Sequence, residues 1–231
     1  MSLPIFFHDQ AFTSDYITLG EDTSKHIVQV LRMNIGERLQ LSDGKGNLLT
    51  TEIADPHKKK CSVRIIEKNF QPQKSKQVSI AISLLKNASR FEWFLEKATE
   101  IGVTDIIPIL CKRTEKQHFR FERMQQIVVA AMMQSQQVWL PKLHQPSALK
   151  EVIENSVFSQ KLIAHCEDEQ KHNVMEFHAS MSTQILIGPE GDFTKEEIEM
   201  ALHQSYKPVT LGETRLRTET AGVVAATICC I

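Results

Sequence analysis

From residue 78 onward the chain keeps one rhythm, a short apolar run followed by an amphipathic stretch, and this constrains the fold more than any single motif. Residues 78–85, 105–110, 161–166, 184–187 and 209–211 read as strands, several of them apolar without a break. Helical patterns lie between them over 89–101, 121–138, 194–205 and 218–230, with Gly102 and Pro141 as stops. Ser89-Arg90-Phe91-Glu92 and Thr194-Lys195-Glu196-Glu197 have the form in which a hydroxyl caps the third amide and a Glu reaches back. Strands alternating with helices predict a mainly parallel sheet covered on both faces.

The first seventy residues differ. Short strands are predicted over 4–8, 11–19, 37–42, 48–54 and 61–67, with turn chemistry in Asp43-Gly44-Lys45-Gly46-Asn47. One helix is predicted over 22–33, with Ile27, Val30 and Leu31 on its apolar face. The polar run 70–77, FQPQKSKQ, reads as a linker. The expectation is a small β-barrel over 1–72 and an α/β domain over 73–231.

A net charge of -1 and a pI near 6.8 argue against a globally basic nucleic-acid binder, so any phosphate-contacting surface has to be local. Lys112, Arg113, Lys116, Arg120 and Arg123, with His118 among them, form one such run; a solvated face is the alternative reading, as it is for Lys58-Lys59-Lys60. The five cysteines include no C-x-x-C pair, and the start of the chain has no basic or long apolar leader, which points to a reducing, cytoplasmic setting. No apolar run approaches the roughly 20 residues that span a bilayer. His165-Cys166-Glu167-Asp168-Glu169 with His172 matches no ligand spacing, so no metal is expected. Walker A, H-E-x-x-H and G-x-S-x-G sequences are absent, which counts against a kinase, a zinc protease and a serine hydrolase.

Two glycine-containing loops follow predicted strands: Ile187-Gly188-Pro189-Glu190-Gly191-Asp192, and Leu211-Gly212 through Arg215-Leu216-Arg217-Thr218-Glu219-Thr220-Ala221-Gly222. Ligands of parallel α/β sheets bind at the carboxyl ends of strands. Glycine there lets the backbone approach a flat ligand, and Pro189 stiffens the first loop. Thr218 or Thr220 is available to cap the last helix, whose Ala221, Gly222, Ala225 and Ala226 allow close packing. Alone, the two loops imply a ligand site.

Four segments together resemble a known family. These are His26 to Met33, the helix Phe94 to Val103, and both glycine loops. The chain is similar to the RsmE-type 16S ribosomal RNA uridine-N3 methyltransferases of the SPOUT superfamily, over nearly its whole length. That resemblance implies an amino-terminal PUA-like β-barrel that binds RNA, a trefoil-knotted α/β domain, a homodimer and S-adenosylmethionine as cofactor. It implies cofactor contacts from Leu186, Ile187, Gly188, Pro189, Glu190, Gly191, Leu211, Gly212, Leu216, Arg217, Thr218, Thr220 and Ala221. The expected RNA contacts are Arg32, Arg113, Lys116, Arg120 and Arg123, toward 16S ribosomal RNA in the small subunit. Met133 and Gln137 stand where the family often carries an acid and an arginine, and Asp192 stands where it often has a second glycine.

Uridine N3 holds a proton and becomes nucleophilic only when that proton leaves. A fixed guanidinium can then stabilise the anion on the flanking carbonyl oxygens. Arg217 is the candidate for this role, with Arg215 second. Glu190 or Glu219 would orient the arginine or accept the proton, or simply hold loop backbone. Because pairing hides N3, the base has to be unpaired or flipped out. Alternatives are another SPOUT RNA methyltransferase, acting on a ribose 2′-oxygen or a transfer-RNA base, and a non-catalytic RNA-binding assembly factor.

Overall fold

A computed structural model describes residues 3–12, 14–115, 118–168, 170–177 and 180–231. It divides into two compact units, one comprising the chain through Gln73 plus Met132–Leu140, the other Lys74–Ala131 plus Pro141–Ile231. The first unit thus takes in residues 132–140 as well as the amino-terminal stretch.

The first unit holds β1 (Ile5–Phe7), β2 (Tyr16–Thr18), α1 (Glu21–Lys25), β3 (Arg38–Ser42), β4 (Asn47–Asp55) and β5 (Ser62–Phe70). The strand order is β1-β3-β4-β5-β2, antiparallel except for β1 with β3. These five strands form the curled sheet of the expected PUA-like domain; among the described residues no ladder joins β1 to β2. Its core is Ile17, Leu19, Ile27, Leu39, Leu41, Leu49, Ile53, Cys61 and Val63. The predicted helix over 22–33 is shorter, because α1 widens into a π-helical turn at His26–Val30 and stops. The widened turn rotates the expected apolar face. Ile27 is fully buried, but Val30 and Leu31 are 67% and 42% exposed. Arg32 follows with a left-handed φ of 55°. In the β3–β4 hairpin Gly46 has φ 94°, and a Cβ there would lie 2.7 Å from both the Trp139 ring and the Gln71 carbonyl.

The second unit holds β6 (Gln77–Ser83), α2 (Ala88–Ile101), β7 (Asp105–Leu110), most of α3 (Phe121–Gln134), β8 (Lys142–Leu143), β9 (Ser147–Ala148) and α4 (Leu149–Glu154). It continues with β10 (Gln160–Ala164), β11 (His172–Asn173), β12 (Ser182–Ile187), α5 (Lys195–His203), β13 (Lys207–Thr210) and α6 (Thr218–Cys230). The sheet runs β11-β13-β10-β12-β6-β7-β8, with β9 also on β7, and every pair is parallel. Side chains alternate between faces with the strand period of two. Ala81, Ile163 and Leu186 pack with Leu149, Val152, Ile153, Phe193, Ile198 and Ala201 on α4, α5 and their loops. On the other side α6 packs against α2, β6 and β12. Gly222 makes that possible, since a Cβ there would sit 2.6 Å from the Phe94 ring and 2.8 Å from Ile82 Cδ1. Because β13 lies outside β10, the chain returns past β10 to bring α6 onto β12 and β6.

Three local expectations need correction. The cap of α2 is Asn87, whose side chain accepts from the Ser89 amide at 2.9 Å, not Ser89. Asn is as good a cap as Ser, and Glu92 is held by Arg123 instead. The Thr194–Glu197 capping box is formed as expected. Neither Thr218 nor Thr220 caps α6; Arg217 is the N-cap residue and makes no side-chain cap. Finally, α3 ends at Gln134 rather than 138. The Gln136 and Gln137 amides close its end on the Met133 and Met132 carbonyls, with Gln136 left-handed at φ 56°. Val138, whose apolarity extended the predicted helix, is buried as part of the first unit instead.

Candidate active site

The parallel register aligns Ala164 with both Ile187 and Val209, so β10, β12 and β13 end side by side. The loops that leave these ends, with the first turn of α6 and Arg90 from α2, enclose a cavity of about 680 Å³. That size lies within the range of small-molecule sites, roughly 300–1,000 Å³. Ile187, Val209, Leu211, Leu216 and Ala221 supply apolar wall; Glu190, Glu213, Arg215 and Arg217 supply charge at the rim.

Of the residues expected at a cofactor site, Ile187, Gly188, Pro189, Glu190, Leu211, Gly212, Leu216, Arg217, Thr218 and Ala221 line this cavity. Leu186, Gly191 and Thr220 do not. Leu186 points into the core with Phe193, Gly191 backs onto Arg113, and Thr220 lines a neighbouring recess. The two cavity glycines serve different needs. Gly188 is crowded, since a Cβ would meet the Phe193 ring at 3.0 Å; Gly212 is in open space, but its φ of 145° strains any other residue.

The 188–193 loop is tied from several directions. The Asp192 amide closes a turn on the Pro189 carbonyl at 2.9 Å. Arg113 Nη1 donates to the Gly191 carbonyl at 2.7 Å and to Phe193 at 3.2 Å. The Lys86 amide donates to Glu190 Oε1 at 3.2 Å, and the Cys166 amide to Asp192 Oδ2 at 2.7 Å. Asp192 sits at φ 63°, a conformation that Asp tolerates better than most residues. Its carboxylate thus fastens the β10 loop to the β12 loop, which a second glycine could not do.

These contacts sort the charged candidates. Glu190 spends its carboxylate on loop backbone. Glu219 is buried and lies 3.7 Å from Arg90 Nε. Arg217 and Arg215 are exposed at the rim, and among the described residues no ion pair engages either. In the basic run, Arg113 holds the Gly191 loop, and Arg123 pairs with Glu92 through two hydrogen bonds of 2.6 and 2.9 Å. Arg120 remains exposed beside His118. Lys116 lies outside the described residues, and Arg32 belongs to the first unit.

Sequence reading missed Arg90, Cys166, Val209 and Thr210 in the cavity wall. The strand ends were a usable signal for the last three; Arg90 comes from a distant helix and had none. Among the described residues no group of three or more His, Cys, Asp and Glu is placed to hold a metal ion, and no helix is long and apolar enough to cross a membrane.

Sheet and cavity together define an α/β enzyme domain that takes its ligand at the carboxyl ends of parallel strands. Residues 72–229 match the family described as RNA methyltransferase domain, and residues 19–66 match RNA methyltransferase PUA domain. A Synechocystis protein named ribosomal RNA small subunit methyltransferase E is 30% identical, the alignment covering 90% of this chain and 71% of that one. A crystal structure of a "probable rRNA-methyltransferase" from Porphyromonas gingivalis is 36% identical, with TM-score 0.91 over 97% of this chain and 95% of that one. Ribosomal RNA small subunit methyltransferase E from Neisseria gonorrhoeae, solved bound to S-adenosyl methionine, is 27% identical, with TM-score 0.86 over 97% and 95%. The chain belongs to the RNA methyltransferase family.

Proposed function

We propose that this protein transfers a methyl group from S-adenosylmethionine to uridine N3 of 16S ribosomal RNA in the small subunit, as a cytoplasmic homodimer with a knotted α/β domain. The observation that carries the proposal is the cavity at the ends of β10, β12 and β13, built from the two glycine loops. The residues present suit the cofactor. Gly188 has no Cβ beside the Phe193 ring, Ile187, Val209, Leu211, Leu216 and Ala221 supply apolar wall, and Thr218 and Ala221 from the first turn of α6 line the cavity. The names of the relatives support ribosomal RNA of the small subunit as substrate class.

Bound there, the cofactor supplies an electrophilic methyl group on sulfur. The protein's own contribution is alignment, which can supply much of a bimolecular barrier. When N3 gives up its proton to solvent, charge spreads to the adjacent carbonyl oxygens, and we assign its stabilisation to Arg217, which lines the cavity. Glu190 and Asp192 act through backbone, keeping the loop in the shape the cofactor meets. Changing Arg217 to Ala is expected to reduce turnover on small subunits about 100-fold or more, with a much smaller loss of cofactor affinity by calorimetry. Near-normal turnover in that variant would remove Arg217 from the mechanism. Sedimentation of the wild-type protein tests the homodimer.

A further inference from the structure

A second recess of about 340 Å³ adjoins the cofactor cavity, lined by Ser89, Arg90, Trp93, Arg217, Glu219 and Thr220, and the two share Arg90 and Arg217. Trp93 and Arg90 are three residues apart on α2, so their side chains share a helix face. Trp93 is 44% exposed and is the only tryptophan of the second unit. Glu219, buried at the start of α6, lies 3.7 Å from Arg90 Nε and orients it. The recess thus offers an aromatic face and two guanidinium groups, the second at the mouth of the cofactor cavity.

We infer that this recess receives the target base, with Trp93 stacking on it and Arg90 and Arg217 facing its carbonyl oxygens. The assignment rests on the proposed function and sharpens it. Unpaired bases are held by stacking on aromatic side chains and by hydrogen bonds to their edges. Uracil presents a carbonyl on each side of N3, and guanidinium groups donate without accepting. Cytosine and adenine carry an amino group on that edge, which two guanidiniums repel and cannot bond. The recess therefore selects a uracil-type edge while holding N3 toward the cofactor cavity. Trp93 is a substrate-binding residue on this account, and Glu219 a positioning residue that acts through Arg90.

The test compares Trp93→Ala and Trp93→Phe with wild type, using small ribosomal subunits that lack the methyl group as substrate. The readouts are KM for subunits, cofactor Kd by calorimetry, and sedimentation. Stacking of a base on an aromatic ring corresponds to about a 5- to 150-fold effect on alanine substitution. The expected result is a KM increase in that range for Trp93→Ala, a much smaller one for Trp93→Phe, and unchanged cofactor Kd and oligomeric state in both. An unchanged KM in Trp93→Ala overturns the inference. So does an equal loss in the Phe variant, and so does a loss of cofactor affinity or of the oligomer, which would make the ring a structural contact. A wild-type protein that neither binds cofactor nor methylates subunits would instead defeat the proposed function itself.

Discussion

Replacing Asp192 separates two contributions to the shape of the cofactor loop. Its Oδ1 accepts from the Phe193 amide at 2.9 Å and its Oδ2 from the Cys166 amide at 2.7 Å, while the backbone sits at φ 63°. A hydrogen bond to a charged group contributes about 1.5–3 kcal/mol, and the exposure of Cys166 places this one near the lower end. A left-handed φ costs Ala about 1 kcal/mol relative to Gly. Counting only the Cys166 bond, which ties the two loops together, Asp192→Gly loses about 1.5 kcal/mol of loop order, and Asp192→Ala about 2.5 kcal/mol. On the proposed function only the ordered loop binds cofactor, so apparent affinity falls with its population. Titration calorimetry should show Kd rising by up to about 10-fold for Gly and several times further for Ala. Asp192→Asn keeps an acceptor oxygen and a tolerance for positive φ, so it should lie nearest wild type. The melting temperature should change little, because the loss is local. Ala binding as tightly as wild type, or more tightly than Gly, would refute the assigned roles of φ and carboxylate.

Gly222→Ala should destabilise the protein despite Ala's better helix propensity, because its Cβ would meet Phe94 and Ile82 at 2.6 and 2.8 Å. Overpacking of this kind costs about 1–3 kcal/mol, read from chemical denaturation, and a gain in stability would contradict the packing. Among the thiols, burial pushes Cys111 up to about 12 and Cys229 and Cys230 up to about 11, and it also raises Cys61. Cys166 is exposed in the cavity wall, so iodoacetamide at neutral pH should modify it first and S-adenosylmethionine should slow it. An alkylation rate indifferent to cofactor would place the ligand elsewhere. The hydrogen-bonded Arg123 guanidinium holds the Glu92 carboxyl below its ordinary value of 4.5. A carboxyl depressed in the folded state stabilises it fully above that ordinary value and loses the effect as pH falls through the lowered one. The stability gap between wild type and Arg123→Ala should therefore be constant near neutrality and shrink in acid; a gap that widens in acid would be the wrong sign.

Much of the second unit was legible because its signals are local. Strand 105–110 and helix 218–230 have the bounds their residues imply, and Thr194 caps α5 with Glu197 as the motif requires. Errors arose where distant parts of the chain decide. Ile27, Val30 and Leu31 share a face only in a regular helix, and the π turn at His26–Val30 breaks that regularity while Ile27 stays in the first unit's core. Val138 is apolar for the sake of the first unit, not of α3. The two-residue strands β8, β9 and β11 carry too little pattern to be seen. In the site, the glycine loops were readable as strand-end loops. The hold of Arg113 on the Gly191 loop was not legible, because its partners, the carbonyls of Gly191 and Phe193, lie 78 and 80 residues away in sequence. Arg90 was invisible for the same reason, since only the fold brings α2 to the start of α6.

The most direct test of the account is the identity of the nucleoside it produces. Small subunits lacking the methyl group would be incubated with the purified protein and S-adenosylmethionine, and the 16S ribosomal RNA digested and mapped by mass spectrometry. The account predicts one added methyl group, on the base of a single uridine and at N3. A methyl on ribose or on another base would contradict the assignment of substrate, and no incorporation on assembled subunits or free RNA would contradict the assignment of the cavity itself.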